Sequence, residues 1–232
     1  AAPLLEHHGD SEMSTANPVM TRTEVAALST TKTIRNAYTL LTMILAFSAV
    51  TAWYSISSNA QPINVWLFLA FMIGMPFAIN ATRNSIAGLG LSFVYAGLLG
   101  YFLGPIVGFY MRMDPNIPVY ALAATSVIFF SLSGYALISR TNFNFMGGFL
   151  FVGSLVILAA IVANIFLEMP ILSLMISGAA VLLISGAILW ETSQLIHDPE
   201  ANYIVIATSL LGSIWVLFMH LMRLFAFFSG ED

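Results

Sequence analysis

The sequence predicts an all-α polytopic membrane protein with seven transmembrane helices, and three observations support this prediction. Of the 232 residues, 59% are hydrophobic and 8% are charged, whereas a soluble domain carries about 25% charged residues. Seven apolar runs approach or exceed the length of about 20 residues that a helix needs to cross a bilayer. The runs lack the two-residue alternation of a membrane barrel, so we expect helices, which satisfy their own backbone in lipid.

The predicted helices form one bundle over residues 36–228, and each apolar run ends at a short segment of polar residues or prolines. Such segments are typical of the connections between membrane helices. In chain order, the runs and the segments that end them are 37–58 and 59–62, 63–82 and 83–84, 86–110 and 114–118, 117–138 and 140–144, 145–167 and 168–170, 169–190 and 197–202, and lastly 203–228.

The distribution of basic residues predicts the orientation of the bundle, because cytoplasmic connections of membrane proteins are enriched in lysine and arginine. With the N-terminus in the cytoplasm, five basic residues lie inside and two outside, and the opposite orientation reverses the count. The C-terminus and a short tail over residues 229–232 are then outside. The inside set is Arg22, Lys32, Arg35, Arg83 and Arg140, and the outside set is Arg112 and Arg223.

Residues 1–35 are predicted to form a flexible cytosolic tail, because their polar and acidic composition cannot bury enough apolar surface to fold alone. The first 30 residues or so contain no apolar stretch of the kind found in a cleavable signal peptide. The first transmembrane helix is therefore expected to direct insertion itself. The tail is either a leader without a role or a handle for a cytosolic partner.

The composition argues against several classes of function. With no cysteine, the chain has no disulfide framework, thiolate metal site or thiol nucleophile. A net charge of −4 does not indicate nucleic-acid binding. The four histidines do not have metal-ligand spacing, and no catalytic motif or pair of intramembrane carboxylates is present. The sequence therefore predicts neither an enzyme nor a metal or cofactor site.

Glu191 is the first candidate functional residue, because it follows a long apolar run inside the sixth predicted helix. If that helix ends near Ile196, Glu191 lies about one and a half turns before its cytoplasmic end. One interpretation is an interfacial glutamate in contact with water and headgroups. The other is an ionisable group facing the bundle, where such residues are often functional.

The last helix carries a second pair of polar residues, His220 and Arg223, three positions apart. Arg223 is predicted near the outer end, from which it can extend to the interface. Because the two residues lie on nearly the same helical face, they could form a polar strip.

Small residues in the third helix predict close helix packing. Gly100, Gly104 and Gly108 recur at every fourth position, and small residues at this spacing allow two membrane helices to approach closely. A pore or hinge that uses Pro105 is the alternative. Asn164, in the fifth helix, is interpreted as an interhelical hydrogen-bonding residue.

Several segments resemble the Bax inhibitor-like (TMBIM) family, and the similarity runs in order from about Ser29 to Phe228. The resemblance implies a seven-helix bundle with the last helix near its centre. Bacterial members of this family associate with the membrane AAA protease FtsH and restrain it, so the resemblance implies FtsH as partner and residues 1–35 as the handle. The matching segments are STTKTIRNAYTLLTMILAFSAVTA, GLLGYFLGPIV, NFNFMGGFL, VANIFLEMP and GAILWETSQLIHDPEANYI.

The same resemblance implies a role for Glu191 in a degenerate pH sensor. Other family members leak calcium or protons under the control of two carboxylates, and Glu191 matches the first of them. Ser213 stands where the second is expected, and a serine can share a hydrogen bond but cannot act as a second acid. The FtsH modulator is therefore preferred. An ion leak, or a subunit of another membrane complex, is the alternative.

Overall fold

The computed structural model describes residues 22–61 and 64–230, and every regular element within them is a helix. Consecutive helices are joined by connections of a few residues, so the chain crosses the bundle repeatedly. The helices are α1 (Arg22–Ser57), α2 (Val65–Ala81), α3 (Ile86–Met113), α4 (Asn116–Ser139), α5 (Met146–Leu167), α6 (Pro170–His197) and α7 (Tyr203–Ser229).

Six of these helices are long and apolar enough to cross a membrane: α3 to α7 and the Thr30–Ser57 part of α1. The exception is α2, which has 17 residues and therefore spans only about 25 Å, against a hydrocarbon core of about 30 Å. The chain is thus a polytopic helical membrane protein, and the seventh span remains a prediction.

Helix α1 begins at Arg22, ahead of the boundary at residue 36 that the sequence predicts for the bundle. Residues 1–21, most of the predicted tail, lie outside the described residues, as do residues 231–232 of the predicted outer tail.

The chain reverses after α4 and after α5, where the backbone takes a left-handed conformation. Arg140 and Glu168 end these two helices with a positive φ, of 50° and 49° respectively. Pro170 then starts α6 at a position where a proline costs no hydrogen bond.

The bundle is organised around α7. This helix packs against α1, α2, α3, α4 and α6, whereas α5 packs against α6 alone among the described helices. Buried residues lie on several faces of α7, among them the consecutive pairs Leu210–Leu211 and Leu217–Phe218. On α5, Leu150 is the single buried residue. The buried core therefore surrounds α7, and α5 lies at the periphery.

Glycines allow the pairing of α1 with α3. A Cβ atom on Gly100 would lie 2.1 Å from the Ser48 carbonyl oxygen, and one on Gly104 would lie 2.3 Å from the Ser55 Oγ. A Cβ on Gly108 would meet nothing within 4 Å. The predicted close approach therefore occurs at Gly100 and Gly104, and the prediction for Gly108 is wrong because α1 has already ended beside this part of α3.

The close contact between α1 and α3 also accommodates Pro105 within α3. Because proline has no N–H, the Tyr101 carbonyl four residues earlier loses its helical hydrogen-bond donor. The Ser55 hydroxyl of α1 donates to this carbonyl at 2.8 Å. Hydroxyls commonly satisfy backbone groups freed by proline in membrane helices, so α3 continues through Pro105 to Met113.

Candidate functional site

The Glu191 side chain lies between α6 and α7 and is only 6% exposed. Two serine hydroxyls of α7 donate hydrogen bonds to its carboxylate. Ser213 lies 3.1 Å from Oε1 and 3.0 Å from Oε2, and Ser209 donates to Oε1. Because residues four apart share a helical face, both hydroxyls reach the same carboxylate. Glu191 thus joins α6 to α7 inside the bundle.

The structure brings together the two residues that the sequence paired, Glu191 and Ser213. Sequence reasoning missed Ser209, although its position one turn before Ser213 could have indicated a second donor on the same face. The interfacial interpretation expects headgroups and water around the carboxylate, so its burial favours the interpretation of a group that faces the bundle. The role of these residues as the remnant of a pH sensor remains a prediction.

A cavity of about 340 Å³ borders the Glu191 carboxylate. Its walls come from α2, α3, α6 and α7, and the polar side chains of Glu191, Ser209 and Ser213 are among those that line it. The buried Tyr95 of α3 lines the cavity, and a Cβ on Gly212 would lie 3.5 Å from the Tyr95 hydroxyl oxygen. The cavity can hold a small polar species beside the carboxylate.

The two residues after Glu191 are also buried polar residues, and each contacts a different part of the bundle. Thr192 Oγ1 lies 3.2 Å from Ser133 Oγ of α4 and 3.4 Å from the Tyr38 hydroxyl of α1. The Tyr38 hydroxyl also forms a hydrogen bond with Ser133. This cluster of hydroxyls therefore joins α1, α4 and α6 immediately beside the Glu191 site.

Ser193 extends these contacts to the connection between α4 and α5. Its hydroxyl accepts a hydrogen bond from the Phe143 N–H at 3.0 Å and lies 3.3 Å from the Thr141 carbonyl oxygen. We call residues 191–193 the ETS segment. The three consecutive side chains of this segment connect α6 to α7, to α1 and α4, and to the α4–α5 connection.

The same end of the bundle is held by Asn202, which precedes α7. Its side-chain oxygen caps α7 by accepting from the Ile204 N–H at 2.9 Å. Its amide nitrogen donates to the Arg83 carbonyl at 3.0 Å and to Asn84 Oδ1 at 3.1 Å. The α6–α7 and α2–α3 connections are therefore joined by one side chain.

His220 and Arg223 are not part of the Glu191 site. They lie seven and ten residues beyond Ser213 on α7, which places them at least about 10 Å further along the helix. His220 is half-buried and Arg223 is exposed. Within the part of the chain that the structure describes, no cluster of three or more His, Asp or Glu side chains could hold a metal ion.

Comparisons with known proteins identify the family. A family model described as "Inhibitor of apoptosis-promoting Bax1" matches residues 30–230. The chain belongs to the Bax inhibitor family. The resemblance seen in the sequence is therefore confirmed, and the Glu191 site lies well inside the matched region of this Bax inhibitor family member.

Individual relatives extend the similarity over nearly the whole chain. The Escherichia coli K12 protein named "Modulator of FtsH protease YccA" is 41% identical over 205 residues, which cover 88% of this chain and 94% of the relative. An uncharacterized protein of Pseudomonas aeruginosa is 38% identical over 86% of this chain and 90% of its own length. An uncharacterized membrane protein of Vibrio cholerae is 35% identical over 93% of this chain and 99% of its own length.

The comparisons also support the cellular location. The matching protein of another Escherichia coli strain is named "Inner membrane protein YccA", and six helices of the present chain can cross a membrane. This Bax inhibitor family member is accordingly a multi-pass protein of the bacterial inner membrane. The family description and the names of these relatives specify no enzymatic reaction.

Proposed function

We propose that this protein binds the membrane protease FtsH and restrains its activity, through both the helical bundle and the N-terminal tail. The observation that supports the proposal is the 41% identity to a modulator of FtsH protease over 94% of that relative's length. The proposal includes seven transmembrane spans, a cytoplasmic N-terminus and an outer C-terminus. In this proposal the predicted tail, residues 1–35, is the handle that a cytosolic protease domain contacts.

The arrangement of the bundle suits a binding protein better than a catalyst. The ETS segment connects α6 to α1, α4 and α7, and its buried polar groups are occupied by hydrogen bonds within the bundle. A catalytic constellation would need polar groups directed at a substrate. A bundle whose helices are joined by these hydrogen bonds can instead present a constant surface to the membrane helices of a partner, while the tail contacts the partner's soluble part.

The first test is a pull-down from native membranes in mild detergent, followed by mass spectrometry. We expect FtsH at near-stoichiometric levels with the full chain. Recovery of the protein without FtsH would contradict the proposal. Co-purification of a different membrane complex would instead support a role as a subunit of that complex.

The role of the tail is tested by the lifetime of the protein in cells that contain or lack FtsH. Deletion of residues 1–21 removes most of the predicted handle and leaves the described helix α1 intact, so we expect a longer lifetime only where FtsH is present. A scrambled tail of the same composition is the matched control, since it retains a handle of the same length. Equal lifetimes for all variants in both cell types would contradict the proposed handle.

The predicted orientation can be tested directly because the native chain has no cysteine. Single cysteines at Asn142, in the α4–α5 connection, and at Asp114, in the α3–α4 connection, report on the two sides of the membrane. In intact spheroplasts, we expect an impermeant maleimide to label the Asp114→Cys variant and to leave the Asn142→Cys variant unlabelled. The reverse pattern would contradict the proposed orientation.

An ion leak is the second candidate function, and the cavity at Glu191 is the observation that favours it. A carboxylate beside a cavity of about 340 Å³ is a plausible site for a cation in a membrane protein. The test is calcium or proton flux into liposomes for the native protein and for Glu191→Gln. Flux that Glu191→Gln changes would support the leak, and absence of flux at every pH tested would contradict it.

A further inference from the structure

A second, apolar cavity lies between α1 and α4, away from the Glu191 site. Within the described residues, no Cα atom of α1 lies within 8 Å of one of α4, although a hydrogen bond between Tyr38 and Ser133 joins the two helices near one end. Beyond that bond, α1 follows α3 because Gly100 and Gly104 admit it closely. The path of α1 along α3 therefore leaves a gap between α1 and α4.

The gap encloses about 330 Å³ and is lined mainly by apolar side chains. Its inner wall is formed by α7, and the rest of its lining comes from α1, α3 and α4; the α7 residues are Leu211, Ile214, Trp215 and Phe218. At the rim, Trp53 of α1 and Leu122 of α4 are 70% and 60% exposed. Exposed rim residues on both helices indicate that the cavity opens sideways, toward the hydrocarbon of the bilayer.

The lining contains few polar groups, namely the hydroxyls of Ser48 and Thr125 and the indole N–H groups of its two tryptophans. None of the lining residues is charged. The hydroxyl of Thr125 donates to the Ala121 carbonyl of its own helix at 2.7 Å, which leaves its methyl group available to the cavity. A cavity with such a lining binds an apolar ligand, since a polar ligand would lose its hydrogen bonds to water and gain none in their place.

The size of the cavity decides between two apolar occupants. A partner's transmembrane helix is about 30 Å long and at least about 10 Å wide, which corresponds to a volume of roughly 2,000 Å³ or more. It cannot enter a space of about 330 Å³, whereas a stretch of one slender hydrocarbon chain can, with the rest of the chain remaining in the bilayer. We propose that this cavity is a binding site for a single acyl chain of a phospholipid from the surrounding bilayer, inserted between α1 and α4 against α7.

Tryptophan fluorescence in vesicles tests the proposal, because bromine atoms on lipid chains quench a tryptophan only at contact. Trp215 is 8% exposed and its ring is held by a hydrogen bond from Nε1 to the Leu99 carbonyl at 3.1 Å. The full chain is prepared with Trp215 as its single tryptophan, the other three being changed to phenylalanine. It is then reconstituted in phosphatidylcholine with or without bromine along one acyl chain. We expect strong quenching of Trp215 by the brominated lipid, despite its burial.

A lipid-facing tryptophan supplies the positive control. Trp66 is 75% exposed on α2, so a variant with Trp66 alone should be quenched whether or not the cavity is occupied. Quenching of Trp66 without quenching of Trp215 would overturn the proposal. Quenching of Trp215 by a brominated free fatty acid, but not by the brominated phospholipid, would overturn the choice of phospholipid as the source of the chain.

A filling substitution shows whether the quenching occurs through this cavity. Ala49 lines the cavity from α1 and is exposed at the rim, so Ala49→Phe can occupy the space with little disturbance of the core. We expect it to reduce the quenching of Trp215 to less than half. Ala159→Phe, at an exposed position on the peripheral α5, is the matched control and should leave the quenching unchanged. Equal quenching in both variants would overturn the proposal.

Discussion

Replacement of the α3 glycines by alanine should separate the cost of a steric clash from the gain in helix propensity. At Gly100 the new methyl group would lie 2.1 Å from the Ser48 carbonyl oxygen, a backbone atom of α1, and 2.2 Å from the Thr51 hydroxyl. The backbone of α1 would have to move, because no side-chain rotation relieves the first contact. At Gly108 the same methyl group would meet nothing within 4 Å.

The two substitutions affect the free energy of unfolding in the same way, except that only Gly100→Ala creates a clash. Each gains up to about 1 kcal/mol because alanine is a better helix former than glycine. Gly100→Ala also bears an overpacking cost of about 1–3 kcal/mol. The common gain cancels in the comparison, so Gly100→Ala should be less stable than Gly108→Ala by about 1–3 kcal/mol. For a chain of this size, that corresponds to a difference in Tm of roughly 2–12 °C.

Thermal unfolding in one detergent, followed by intrinsic fluorescence and by loss of the monodisperse peak in size-exclusion chromatography, measures this difference. We expect Gly108→Ala to unfold at or slightly above the native temperature and Gly100→Ala clearly below it. Equal unfolding temperatures would refute the reasoning, because they would mean that α1 and α3 are not held in the close contact described above. A large loss of stability in Gly108→Ala would refute the assignment of open space beside that residue.

Three further substitutions test the buried polar groups in the same unfolding assay. Glu191→Ala should lower the free energy of unfolding by about 1–3 kcal/mol, because the serine hydroxyls lose their acceptor. Glu191→Gln keeps an acceptor oxygen and should lose less stability. Equal losses in the two variants would contradict the hydrogen-bonding role. Ser55→Ala should lower the free energy of unfolding by about 0.5–2 kcal/mol, since the Tyr101 carbonyl loses the donor that replaces the missing N–H of Pro105. This loss of stability should disappear when Pro105→Ala is added. Asn164→Leu should be neutral or stabilising by about 1 kcal/mol, because the Oδ1 atom is buried without a hydrogen-bond partner among the described residues, and clear destabilisation would indicate a partner for this atom.

The positions of the helices could be predicted from the sequence because each apolar run is long and ends at strong breakers. Pro170 starts α6 where the sequence indicated a connection, and the reversals at Arg140 and Glu168 fall within predicted connections. The beginning of α1 at Arg22 could not be predicted from apolar periodicity, since the residues before 37 are largely polar. The length of an apolar run thus locates a membrane helix but leaves its polar extension undetermined.

The contacts of the helices were harder to predict, because lipid-facing and core-facing apolar residues look alike in a sequence. The spacing of Gly100, Gly104 and Gly108 is uniform, yet the third glycine lies beside open space. Likewise, apolar length alone does not distinguish α5 from α7, although α5 is peripheral and α7 is central. Whether a residue is packed or exposed to lipid depends on which helix faces it, and only the three-dimensional arrangement shows which helix that is.

Hydroxyl residues were the more informative signal in this sequence. A hydroxyl in an apolar helix can bond to its own backbone, as Thr125 does, so a single serine or threonine indicates little. Ser209 and Ser213 differ because they lie one turn apart and face a helix that carries Glu191. A buried carboxylate needs several donors, and two hydroxyls on one face can provide them without a second charge. Glu191 is thereby held by neutral donors of α7, a geometry suited to a fixed connection between α6 and α7, and this geometry argues against a leak gated by a pair of carboxylates.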